Sequence, residues 1–219
     1  MTLPMENHPQ RSPGWFAARA IRATASRFKD VVSTHAAKVR YAQEIKDGMA
    51  GILKPEINAP SLDWGVVQEP AAIANYELWL FERGFDLDVV NPHFLVHPEY
   101  DFIGASCDLL VGSDGVGEIK CPFDESVHIM TLLAGAMPSS HYPQVQGEML
   151  VACRPWCDFI SFDPRQEDPL RRLFVQRVFR DDAYIDWLLA SIIAFWNDYV
   201  LNEAPALVDF MDVDPDDLF

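Results

Sequence analysis

Between Tyr100 and Cys121 the chain reads YDFIGASCDLLVGSDGVGEIKC, and this stretch limits the possible folds more than any other. Phe102 to Val111 is apolar and strand-like, Gly112-Ser113-Asp114-Gly115 is a turn cluster, and Val116 to Cys121 is a second strand, so a β-hairpin is predicted. Its charged residues are not scattered. Asp108 stands near the end of the first strand, and Glu118 and Lys120 lie two apart on the second. Side chains alternate across a strand, so Glu118 and Lys120 leave the same face.

Two carboxylates and an ammonium on one strand face suit a hard divalent cation such as Mg²⁺, which takes oxygen ligands. The Ile119 carbonyl, between Glu118 and Lys120, could add a further oxygen, and Lys120 could hold and help deprotonate an attacking water. The bland alternative is a surface hairpin with an ordinary Glu-x-Lys pair. Asp108, ten residues before Glu118 and across a Gly-rich turn, tips the balance toward chemistry.

At 219 residues the chain can bury a substantial core. No apolar run is long enough to span a bilayer, and the first residues lack an apolar signal core, so a cytoplasmic protein is expected. Cys107, Cys121, Cys153 and Cys157 then default to free thiols in the core, because Cys153-x3-Cys157 is not a usual zinc spacing. His93 and His97 flank a short strand and are read as non-ligands. The net charge of −16 argues at first against a nucleic-acid partner, but the charge is uneven. Residues 1–54 carry nine Lys and Arg against four Asp and Glu, whereas residues 181–219 carry ten acids and no Lys or Arg. A basic amino-terminal layer could meet a phosphate backbone while the acidic end faces away; the alternative is an unevenly charged solvated surface.

Along the chain, residues 1–12 are expected to be loose. Gly14 to Val32 is patterned as a helix carrying Arg19, Arg22, Arg27 and Lys29, with Thr24 and Ser26 among them as phosphate donors. A second helix is predicted over His35 to Ile52. A long one runs from about Leu62 to Arg83, with Gly84 closing it, Pro70 in its first turn or at a kink, and Glu69 projecting from its beginning. Short helices follow over Ser126 to Ala134 and His141 to Ala152, strands over Phe94 to His97, Trp156 to Phe162 and Leu173 to Phe179, and a final helix from Asp181 to about Asn202. This order predicts one α/β domain (residues 13–203) with a central mixed β-sheet flanked by helices, then an acidic tail (204–219).

Asp-x9-Glu-x-Lys resembles the core of the PD-(D/E)xK nucleases, and Gly117-Glu118-Ile119-Lys120-Cys121-Pro122-Phe123 narrows this to the bacteriophage lambda exonuclease family, the YqaJ-type viral recombinases. Arg19 with Thr24-Ala25-Ser26, Glu56-Ile57-Asn58-Ala59 with Trp64-Gly65 and Glu69-Pro70, and Tyr142-Pro143-Gln144-Val145-Gln146 resemble further motifs of that family in the same order. The proline of the superfamily's name is absent, since Ser106-Cys107-Asp108 stands there. The resemblance implies a Mg²⁺-dependent exonuclease, with a two-metal site and Mn²⁺ as a substitute. It would digest one strand of linear duplex DNA 5′ to 3′, releasing 5′-mononucleotides for recombination in phage or prophage. By position it implies Asp108, Glu118 and the Ile119 carbonyl as metal ligands, with Glu69 as a further one. Lys120 and Gln144 would position or activate the nucleophile, Arg19 with Ser26 and Thr24 would grip the 5′-phosphate, and Leu62 would be the wedge that splits the end base pair. It also implies a ring-shaped homotrimer around DNA and a single-strand annealing protein as partner. An endonuclease of the same superfamily, a non-catalytic DNA-binding subunit and an acidic metal-binding scaffold are the rival readings.

Overall fold

A computed structural model describes residues 5–6, 8–53 and 59–202. In chain order the elements are β1 (Met5–Glu6), α1 (Pro13–Ala20), β2 (Ala23–Thr24), α2 (Phe28–Val31), α3 (His35–Met49), α4 (Pro60–Glu82), β3 (Val89–Val90), β4 (Phe94–Val96), β5 (Ile103–Ala105), β6 (Leu109–Val111), β7 (Gly115–Lys120), α5 (Glu125–Ala134), α6 (Tyr142–Ala152), β8 (Trp156–Phe162), β9 (Leu173–Phe179) and α7 (Asp182–Phe195). The acidic tail and Glu56-Ile57-Asn58 lie outside the described residues.

The central sheet has the order β3-β6-β7-β8-β9 and is mixed: β7 and β8 run parallel, and every other neighbouring pair is antiparallel. A smaller sheet, β1-β4-β5-β2, lies beside it. Alternation along β7 and β8 divides two cores. Ile119 and Ile160 pack with Tyr76 and Leu80 of α4 on one face, while Val116 and Phe159 pack with Val145 and Met149 of α6 on the other. Helices therefore cover both faces of one α/β domain.

The hairpin is present as β6 and β7, but its first arm is shorter than predicted. The run Phe102 to Val111 splits into β5 in the small sheet and β6 in the central one, with Ser106-Cys107-Asp108 crossing between them. The β6–β7 ladder ends at Leu109 opposite Gly117, and the Asp108 carboxylate accepts the Ile119 N–H at 2.7 Å. A side chain thus serves a donor of the strand next to where the ladder stops.

The predicted helix over Gly14 to Val32 is also broken. α1 stops at Ala20, and Ala23 and Thr24 pair with β5 instead, Ala23 donating to the Phe102 carbonyl at 2.8 Å. Arg22 secures the corner through the carbonyls of Asp101 (2.7 Å) and Ala18 (2.8 Å). α3 meets this corner at Gly48, where a Cβ would lie 2.3 Å from the Ala20 carbonyl oxygen, so only glycine permits the approach. Tertiary pairing here overrides a helical pattern.

α4 begins at Pro60, earlier than predicted, so Pro70 lies in the helix interior and Glu69 is not at its start. Pro70 leaves the Val66 carbonyl without its usual helical donor. Gly84 (φ 75°) and Gly135 (φ 62°) end α4 and α5 in the left-handed region, where glycine carries no Cβ penalty. Asp181 caps α7 by accepting from the Tyr184 N–H at 3.0 Å. Of the cysteines, Cys107 and Cys157 are core thiols as expected, whereas Cys153 is exposed and Cys121 half-buried; all four are free.

A polar lock ties α4 to the sheet. Asp158 on β8 is fully buried, takes two 2.9 Å bonds from Arg177 on β9, and accepts from the Tyr76 hydroxyl at 2.6 Å. The Arg177 guanidinium also lies 3.6 Å from the centre of the Trp156 ring. Removing the hydroxyl with Tyr76→Phe is expected to cost about 1.5–3 kcal/mol, since the bond is made to a buried charge. A denaturant midpoint shifted by that amount, with an unchanged slope, checks it.

Candidate active site

The predicted residues come from four elements. Asp108 stands at the crossing into β6, Glu118 and Lys120 on β7, Gln144 on the first turn of α6, and Glu69 on α4. Glu118 is only 3% exposed. Its Oε1 accepts from the Lys120 ammonium and from Gln144 Nε2, the latter at 2.6 Å. Gln144 Oε1 accepts from Lys120 Nζ at 3.3 Å, closing a triangle of acid, ammonium and amide. The predicted shared face of Glu118 and Lys120 is what allows it.

A further acid, Glu148, belongs to this cluster and was missed in the sequence. It is 1% exposed and accepts from Gln144 Nε2 at 2.9 Å. The available signal was its spacing: four residues after Gln144, on the same helical face. Glu118 Oε2 and Glu148 Oε2 are both buried without a hydrogen-bond partner.

The electrostatics follow from crowding. Burial pushes the Asp108 carboxyl well above its ordinary range; the charge of Glu118 adds to this, while Lys120 and the Ile119 N–H oppose it. Burial also raises Glu148, and Glu118 again reinforces the shift. Glu69 is raised by burial, with Arg11 opposing and Glu118 contributing. Burial alone would favour a neutral Lys120, but Glu118 and Asp108 outweigh it and hold the ammonium above its ordinary value.

The unpaired Glu118 oxygen is a place where a hard cation fits the chemistry of these carboxylates. Among the described residues no three His, Cys, Asp or Glu side chains converge as a ligand cluster. The reason is visible in the partners: Glu118 Oε1 is held by Lys120 and Gln144, Asp108 Oδ2 by the Ile119 N–H, and Glu69 comes from the opposite layer. Ile119 turns its side chain into the α4 core, as alternation requires.

Lys120 and Gln144 also line a cleft of about 280 Å³ with Ser26, Lys29, Ser140 and His141. Ser26 Oγ accepts from Arg19 at 3.1 Å, and Arg19 lies 4.3 Å from the centre of the Trp15 ring. Trp15 in turn donates from Nε1 to Ser106 Oγ at 3.0 Å, so the serine before Cys107-Asp108 anchors the helix that carries Arg19. Burial lowers the Arg19 guanidinium, against the fields of Tyr41, Glu118 and Asp108. Thr24 is not brought to this cleft. It is buried, its N–H donates to the Tyr41 hydroxyl at 2.8 Å, and it lines a separate arginine-rich cavity. Leu62 is 49% exposed on the first turns of α4, seven residues and two turns before Glu69, hence on the same side of the helix.

The family model of the YqaJ-like viral recombinase domain matches residues 14–154. The chain belongs to that family. Two solved structures of an alkaline exonuclease, LHK-Exo from Laribacter hongkongensis, are similar to this YqaJ-like chain. One, in complex with dAMP, is 34% identical with a TM-score of 0.78, and the other is 35% identical with a TM-score of 0.77. Both alignments cover 86% of this chain and 92% of the other. A phage-related exonuclease from Haemophilus somnus, 19% identical over 83% of this chain and 95% of its own, shares the fold at a TM-score of 0.59. No curated protein matches the sequence. The mixed sheet with helices on both faces is accordingly the PD-(D/E)xK type of YqaJ-like nucleases. No helix among the described residues is long and apolar enough to cross a membrane.

His141 bears directly on the charge of the cleft. Burial and the Lys120 charge lower its imidazole to about 4, so it is uncharged at neutral pH. Because the unfolded chain takes up this proton near 6.5, His141 subtracts stability as pH falls from about 6.5 towards 4. An NMR titration of metal-free protein should place the His141 midpoint near 4; a midpoint at the ordinary imidazole value refutes the burial.

Proposed function

We propose that this YqaJ-family exonuclease is a metal-dependent 5′-to-3′ exodeoxyribonuclease that shortens one strand of linear duplex DNA to 5′-mononucleotides. The observation that carries the reading is the Glu118–Lys120–Gln144 triangle, with an unpaired buried carboxylate oxygen behind it and a lysine-lined cleft in front. LHK-Exo has been crystallised with dAMP, a mononucleotide of the kind proposed here as product.

Asp108, Glu118, the Ile119 carbonyl and Glu69 would hold Mg²⁺, in a two-metal arrangement that Mn²⁺ could also enter. When bound, the ion neutralises charge at the phosphorus and makes water a better nucleophile. The chain's own groups do the positioning. Two N–H bonds of Lys120 go to Glu118 and Gln144, and the third is proposed to hold a water or a non-bridging phosphate oxygen. Arg19, oriented by Trp15 and bonded to Ser26, is the proposed grip for the terminal 5′-phosphate. Thr24 would brace this grip from behind through Tyr41. Exposed Leu62 would act as the end-pair wedge. A homotrimeric ring and a single-strand annealing partner complete the proposal, for recombination in phage or prophage within a cytoplasm.

Linear duplex labelled on either strand should lose nucleotides from the 5′ end in Mg²⁺, with no loss in chelator, while closed circular duplex stays whole. Asp108→Ala and Lys120→Ala should each fold and lower nucleotide release at least about a hundredfold. Digestion at the wild-type rate by either variant refutes the site, and cutting of circles makes the protein an endonuclease.

Arg19→Ala should slow digestion of 5′-phosphorylated ends about tenfold or more and leave hydroxyl ends little changed. Equal rates on the two kinds of end in both proteins remove the 5′-phosphate role.

A further inference from the structure

Glu148 stands apart from the other acids of the site. Asp108, Glu118 and Glu69 are the acids proposed to hold a cation, and Lys120 and Gln144 line the cleft. Glu148 lies one helical turn behind Gln144, 1% exposed; its carboxyl accepts from the Gln144 amide and also meets the Glu118 carboxyl. Its helical neighbours Val145, Met149, Val151 and Ala152 are buried apolar residues, and its field reaches the core thiols of Cys107 and Cys157. A buried acid among such neighbours destabilises a fold compared with an apolar residue of similar volume.

We infer that Glu148 is a positioning residue that fixes which end of the Gln144 amide faces Lys120. A glutamine amide can be placed in two ways, with oxygen and nitrogen exchanged. Gln144 Nε2 lies 2.6 Å from Glu118 Oε1 and 2.9 Å from Glu148 Oε1, so both of its N–H bonds are taken by carboxylates. That forces Oε1 towards the Lys120 ammonium, where it accepts at 3.3 Å. In the flipped arrangement the amide oxygen would meet the Glu118 carboxylate and the amide N–H bonds would meet the Lys120 ammonium, both repulsive. Glu118 by itself is a weaker guide, because the same oxygen already accepts from Lys120 and the residue is proposed to serve a cation. Glu148 has no such competing duty. It acts on the amide from the same helix as Gln144, one turn away. The inference rests on the proposed roles of Lys120 and Gln144.

The test is a double-mutant cycle read by single-turnover digestion of 5′-phosphorylated linear duplex, with thermal midpoints measured on metal-free protein. Glu148→Met removes the acceptor and keeps the volume, and should lower the cleavage rate about tenfold with DNA affinity within about twofold. Its thermal midpoint should equal or exceed that of wild type. Glu148→Gln retains an acceptor oxygen and should recover most of the lost rate. Glu148→Asp keeps the acid but withdraws it by one methylene, and should behave like the Met variant; it carries the test if the Met variant fails to fold. In a Gln144→Ala background each of these changes should alter the rate less than about twofold, because the group they act through is gone. Wild-type rates in both Glu148→Met and Glu148→Asp overturn the inference, as does a full loss that persists without Gln144. A Gln144→Ala rate equal to wild type overturns the Gln144 assignment, and the inference with it. A slow Gln144→Ala beside an active Glu148→Met overturns the inference alone.

Discussion

Three acids, Asp108, Glu118 and Glu148, compete for a single ammonium, and the site is built around that imbalance. Glu118 is nearly sealed from solvent, and Lys120 and Gln144 both reach the same one of its oxygens. Its other oxygen has no hydrogen-bond partner, nor does the far oxygen of Glu148. A buried carboxylate oxygen without a donor costs on the order of 1–3 kcal/mol or more, so the cluster is held together by the rest of the fold. The parallel β7–β8 pair supplies the floor, in register from Gly115 opposite Trp156 to Lys120 opposite Ser161. α6 packs Val145 and Met149 into the core, and that packing sets the height at which Gln144 and Glu148 meet β7.

The contrast with the polar lock on the other face is instructive. Asp158 is equally buried, but Arg177 takes both of its oxygens and Tyr76 adds a third bond. His128 is similarly complete, with Ser161 on one ring nitrogen and the Arg171 carbonyl on the other, each at 2.8 Å. These groups are satisfied and have nothing left to offer a ligand. Beside Glu118 the pairing is left open, next to a cleft carrying Lys29 and Lys120. Burial alone does not separate these acids; an unfilled partner position does.

Much of this was legible in the sequence because it depends on local periodicity. Alternation put Glu118 and Lys120 on one face, glycines marked the ends of α4 and α5, and β8 and β9 have the predicted limits. What failed depended on distant partners. Nothing local shows that Ile119 would offer its N–H to Asp108, so a run of apolar residues could not be seen to break there. The corner after Ala20 is decided by β5, some eighty residues away, and by the gap that Gly48 leaves for it. Pro70 was expected in a first turn or at a kink because its cost in an interior is local, whereas the packing of Ala72, Tyr76 and Leu80 that carries α4 through it is not. Glu148 looked like an ordinary helical acid until its burial was known.

Charge raised the sharpest difficulty for a DNA-directed role, since the whole chain carries −16. The local excess of +5 in residues 1–54 is not a free basic layer either. Arg27 is bonded to Asp30 (2.5 Å) and Glu44 (2.7 Å), and Arg22 to backbone carbonyls. Lys29 and Lys120 line the cleft, and Arg19, held against the Trp15 ring, reaches its edge through Ser26 from the neighbouring cavity that Thr24 also lines. Three cations are far too few to hold a long duplex by its phosphates, because that kind of affinity grows with the number of phosphates neutralised. They are enough to recognise one strand terminus, where a single phosphate carries extra charge and the geometry of one guanidinium can select it. An acidic protein with a small, well-ordered cationic cleft is therefore better suited to a DNA end than to the length of a helix, which is the substrate an exonuclease requires.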